Sequence, residues 1–246
     1  MIVRTLLVAL VAGILAGAAV TPLQHWKTTP LILEAETYEG GGGHHDHAPH
    51  EHSALSLASP AHAHAPAAAD GEAAGTAERL AGSLLANLVL GAGFALLLSA
   101  ASLAANRPIT ARNGALWGLA GFAVLTLAPA LGLPPELPAM PAADLHARQI
   151  WWLATVLTTA GGAALLAFRR ETAARLGTVA LLLLPHLAGA PHPADIGSPV
   201  PATLAAEFVM ASLLVSAAFW ALAGLFTGLL AERFAGHIRP ARLRAA

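Results

Sequence analysis

The chain has 246 residues, 56% of them hydrophobic and only 11% charged, with a formal net charge of −1. A soluble globular chain carries about a quarter charged residues, so this balance points away from that class and predicts an all-α, polytopic integral membrane helical bundle. The absence of cysteine excludes disulfides, thiolate metal sites and a thiol nucleophile.

Six apolar stretches fall at 5–23, 82–105, 114–133, 149–168, 176–190 and 204–231. Each is near the roughly 20 residues needed to cross roughly 30 Å of hydrocarbon, so about six transmembrane helices are expected. The first stretch, with Arg4 before it and Ala16, Gly17 and Ala18 near its end, also resembles a secretory signal peptide. It stays apolar to Leu23, long enough to span, and Gly13 and Gly17 make a small-xxx-small pair suited to helix contact. An uncleaved first span over 1–25 is therefore expected.

Residues 26–81 form the outer loop. Glu34, Glu36 and Glu39 make a carboxylate row just after the first span. Four glycines, 40–43, then lead into seven histidines: His44, His45, His47, His50, His52, His62 and His64, with Asp46 and Glu51 among them. Alanine and proline dominate the remainder to residue 75, with almost nothing to build a core, so a disordered His-rich segment is expected. Neutral imidazole is a common ligand for Zn, Ni, Co and Cu. A flexible loop gathers ions without imposing geometry, and would follow the intrinsic Co < Ni < Cu > Zn order. The competing reading is a solvated linker whose histidines have no specific role.

Residues 82–232 make a five-helix membrane bundle, in which the stretch 176–190 is the shortest. His186 lies roughly 16 Å along that helix from Arg175, at membrane depth, where ionisable groups are costly and usually functional. Pro185 before it, with Gly189 and Pro191 after, predicts an interruption of helical hydrogen bonding of the kind that exposes carbonyls to transported ions. The alternative is a proline-terminated helix with His186 near the interface. Gln24, His25, Asn87, His146, Gln149, His192 and Glu207 share the same outer level. Together they would line a hydrated vestibule; singly they read as interfacial residues or interhelical hydrogen bonds. Trp151 and Trp152 fit an interfacial aromatic belt, and the Gly114–Gly118 and Gly224–Gly228 pairs are packing signals.

Charge sets the orientation. Arg4, Arg107, Arg112, Arg169, Arg170, Arg175 and the tail arginines Arg233, Arg239, Arg242 and Arg244 fall on one side of a six-span arrangement, leaving Lys27, Arg79 and Arg148 opposite. Because basic residues favour cytoplasmic loops, both termini are expected to be cytoplasmic and the His-rich loop outside. The acids and histidines agree: all acids but Glu171 and Glu232, and all histidines but His237, lie on the outer side. Residues 233–246 form a basic cytoplasmic tail able to touch anionic lipid.

Several functions are excluded or unsupported. The single lysine, Lys27, lies outside, so no phosphate-binding Walker loop exists. His50-Glu51-His52 lacks the zinc-peptidase spacing, and no G-x-S-x-G elbow occurs. No enzyme activity is expected. Nucleic-acid binding is not expected either, since the basic residues are short juxtamembrane groups that orient topology.

The stretches 4–9 and 30–39, Leu85-Ala86-Asn87 with 93–97, 114–122, 127–138, Gln149-Ile150-Trp151-Trp152 and Leu184-Pro185-His186-Leu187 together resemble the CbtA-type family of proposed cobalt transporter subunits. The resemblance covers nearly the whole chain except the His-rich insert. It implies a bacterial inner-membrane protein taking up cobalt for cobalamin synthesis, paired with a small single-span partner that itself carries histidines. No tightly bound cofactor is expected; the captured ion would be Co2+, with Ni2+ served equally by imidazole and carboxylate. The candidate ligands are the seven loop histidines with Glu34, Glu36 and His186. Two functional classes stay open: the membrane component of a cobalt or nickel permease, or a membrane-anchored metal-binding or assembly protein that buffers or delivers Co, Ni or Zn without conducting it.

Overall fold

A computed structural model describes residues 2–39 and 72–236. Among the described residues there is no strand, and helices follow in the order α1 (Ile2–Lys27), α2 (Thr29–Glu36), α3 (Glu72–Ala104), α4 (Gly114–Ala130), α5 (Leu145–Phe168), α6 (Thr172–Ala188) and α7 (Ala202–Gly236). Four contain segments long and apolar enough to cross a membrane: Val3–Lys27, Ala77–Ala104, Leu145–Phe168 and Ala202–Phe234. The apolar helices α4 and α6 are shorter, and the 17 residues of α6 reach roughly 26 Å at the helical rise.

Helical structure enters the expected outer loop from both ends. Pro30 sits in the first turn of α2, where its missing N–H costs nothing, and α3 begins at Glu72, ten residues before the expected start. Within α4, residues Ala123–Leu127 form a π segment in which the Ala128 N–H reaches back to the Ala123 carbonyl. The ladder widens just ahead of Pro129, whose ring clashes with an α-helical carbonyl four residues back.

The chain divides into two units. Among the described residues the first comprises 2–25, 72–121 and 215–236. Its helices meet through glycine. A Cβ placed on Gly13 would run into the Gly91 carbonyl, and one on Gly17 into that of Asn87, so α1 and α3 touch backbone to backbone. Gly114 and Gly224 face each other in the same way, and a Cβ on Gly118 would strike the Trp220 carbonyl. Lipid tails are as apolar as leucine, so membrane helices gain from such close approach more than from hydrophobic burial. Asn87, 6% exposed, donates from Nδ2 to Thr21 Oγ1 at 2.9 Å and to Gln24 Oε1 at 2.6 Å, which cross-links α1 and α3. Trp220 fills the space beside Gly121 and packs at 4.8 Å from the Phe94 ring.

Among the described residues the second unit comprises 26–39 and 122–214. Asp144 caps α5 by accepting the Ala147 N–H at 2.9 Å. A three-residue connection to Thr172 makes α5 and α6 an antiparallel pair, with Trp151 opposite Pro185 and Gly162 opposite Thr178. The Gly162 carbonyl accepts the Thr178 hydroxyl at 3.1 Å.

Candidate functional site

The loop histidines His44, His45, His47, His50, His52, His62 and His64 lie outside the described residues. Glu34 and Glu36 both lie on α2, where two positions turn the chain by about 200°, so their side chains leave on nearly opposite sides. Glu34 is exposed, Glu36 half-buried, and buried Ala35 separates them. The expected carboxylate row just after the first span has Glu34 and Glu36 diverging on a helix. Among the described residues, no group of three His, Asp or Glu side chains comes close enough to hold a metal ion.

His186 occupies the last turn of α6, half-buried. The helix does not break at Pro185, contrary to the expectation from the sequence; it continues to Ala188 and ends at Gly189, whose φ of +84° is the left-handed conformation that glycine tolerates. Pro185 still brings no N–H to the Leu181 carbonyl, and the helix runs only three residues beyond it. The helix still ends with orphan carbonyls. The Gly189 N–H goes to the His186 carbonyl at 3.3 Å, and the Pro185 carbonyl accepts the Trp151 indole N–H at 3.1 Å. The same indole meets the His186 ring edge to face, centroids 5.6 Å apart and planes at 67°.

Trp151 is 8% exposed and sits in a slot against Gly132, where a Cβ would collide with its ring. Its neighbour Trp152 has a buried indole nitrogen with no hydrogen-bond partner. The aromatic belt therefore separates into one residue tied into the α6 terminus and one that is not. That distinction depended on which residue lies opposite Pro185, and no local signal carried it.

Nearby in chain order, Arg148 pairs with Glu136 at 3.0 Å. Burial pushes the Glu136 carboxyl above its usual range, opposed by the charge and hydrogen bond of Arg148. Glu136 borders a cleft of about 290 Å³ lined also by Pro134, Met140, Ile196, Ser198 and Val209. Of the other polar residues expected at a vestibule, His25, His146, His192 and Glu207 are exposed, Gln149 is half-buried, and Asn87 and Gln24 are joined by an interhelical hydrogen bond.

A family model described as probable cobalt transporter subunit (CbtA) matches residues 2–232. The chain belongs to the CbtA family. No curated protein and no solved structure matches it. Membership and the four apolar helices together make this a membrane protein of a cobalt transporter family, and the family description implies a complex with a further chain. The match spans α1 through most of α7, including Glu136, Trp151 and His186.

Proposed function

We propose that this chain is the membrane component of a cobalt uptake transporter. In this reading the outer His-rich loop captures the ion and His186, at the end of α6, takes part in passing it inward. The observation that carries the reading is the family match over residues 2–232. It is supported by the half-buried setting of His186 in the last turn of α6. Glu34 and Glu36, on α2 just beyond the first span, are the further oxygen ligands of the path, used one after the other rather than together. The protein spans the inner membrane of a bacterium six times, with α4 and α6 as its short spans, both termini cytoplasmic and residues 44–64 outside. It catalyses no covalent reaction. Co2+ is the preferred substrate and Ni2+ its closest competitor; a small single-span, histidine-bearing protein is the expected partner, and cobalamin synthesis the expected use.

Uptake of radioactive cobalt into reconstituted vesicles, with and without the partner, tests this. His186→Ala is expected to abolish flux, whereas deleting residues 44–64 should weaken it only at low metal concentration. If neither change alters flux, the conducting role is lost and the alternative holds, a membrane-anchored protein that buffers or delivers Co, Ni or Zn.

A further inference from the structure

We propose that Trp151 is a positioning residue for His186, holding the imidazole in one orientation by capping the helix end that carries it. At the α6 terminus the Pro185 carbonyl is one of the last four, which have no full set of intrahelical donors. The helix ends at Gly189, whose φ is +84° and whose N–H is spent on the His186 carbonyl. The Pro185 carbonyl instead accepts the Trp151 indole N–H at 3.1 Å. His186 is the next residue, so the bond fixes the peptide from which its side chain departs.

The ring is held as well. The edge-to-face contact between His186 and Trp151, 5.6 Å between centroids, removes rotamer freedom from the imidazole. Trp151 is itself fixed by the Gly132 slot at the end of α4. His186 thus has one side defined by a rigid indole while remaining half-exposed on the other. A ligating histidine is normally oriented by a second group behind it. Here an indole occupies that place, through the backbone and the ring face rather than through an imidazole N–H.

The consequence for metal rests on the reading of His186 as a ligand, and the test separates the two. The background is the full chain with its seven loop histidines replaced by alanine, so that binding at the loop does not mask the site. Co2+ titration followed by calorimetry should show binding that His186→Ala removes. Trp151→Phe keeps an aromatic ring and loses the N–H; it should weaken Co2+ binding by about tenfold, the low end of what loss of an outer partner costs. Gly132→Ala, which displaces the indole without altering Trp151 or His186, should act in the same direction. Imidazole NMR gives the second readout. The His186 ring signals, assigned by their loss in His186→Ala, should be ring-current shifted in the parent and should move toward ordinary histidine positions in Trp151→Leu. If those signals stay in place, the positioning proposal is overturned whatever the metal does. If they move while His186→Ala still binds Co2+ like the parent, positioning stands and the ligand role of His186 falls. Unchanged Co2+ affinity in Trp151→Phe and Gly132→Ala, with binding lost in His186→Ala, overturns positioning and leaves the transport reading intact.

Discussion

Glu136 and Arg148 show two opposed effects at one residue. The 3.0 Å ion pair favours the carboxylate, yet desolvation is the larger influence and leaves the Glu136 pKa raised. A raised carboxylate pKa means that the fold binds this proton more tightly than the unfolded chain does. The contribution is present below the unfolded value and is lost as pH rises through the folded one. Glu136→Gln, a neutral mimic of the protonated form, should therefore gain in thermal stability relative to the parent as pH is raised from about 4.5 toward 7. Melting of both proteins in detergent across that range measures the difference; a difference that shrinks with rising pH contradicts the argument. The charges of Glu136 and Arg148 were plain in the sequence, but their pairing across a proline-rich turn was not. The same holds for Trp151 and His186, 35 positions apart, which neither hydropathy nor spacing connects.

At the scale of the element, glycine placement decides which helices touch. The pairs Gly13–Gly17, Gly114–Gly118 and Gly224–Gly228 were legible as packing signals because small residues four apart mark one helix face. What they touch was not legible: Gly91 is the counterpart of Gly13, and the Trp220 backbone that of Gly118. Gly118→Ala should cost about 1–3 kcal/mol, because the new methyl would meet backbone that can yield only by moving a helix. Gly93→Ala, on α3 with nothing within 4 Å of the added carbon, should leave stability unchanged or slightly raised. Comparing their melting temperatures checks this, and equal losses would mean that close approach is not what Gly118 provides. Glu34 and Glu36 teach the converse. Their two-residue spacing reads as a row on extended chain and as divergence on a helix, and only α2 fixes which applies.

For the whole molecule, the deciding quantity is how many apolar helices span. With α6 at 17 residues and α4 carrying a π segment before Pro129, the two short helices determine the topology. The chain contains no cysteine, so each introduced one is a unique reporter. Six spans predict that Arg112→Cys and Glu171→Cys label only from the cytoplasmic side, and Ala142→Cys and Ser198→Cys only from outside, with a membrane-impermeant thiol reagent. If Glu171→Cys and Ser198→Cys label from the same side, α6 does not cross, and the charge map loses its basis.

Composition and hydropathy by themselves determined an all-helical membrane protein, and the order of its apolar helices, since every backbone polar group in lipid must be satisfied within a helix or a closed barrel. The residues also carried the family resemblance. Only the tertiary structure decided that Pro185 leaves α6 intact to its glycine end, that Asn87 is bonded between helices, and that Trp151 rather than Trp152 stands behind His186. The physical reason is common to all three. A local pattern fixes whether a helix forms, because its hydrogen bonds lie within four residues. The partner of a side chain depends on which distant backbone packs against it, and that contact has no period in the sequence.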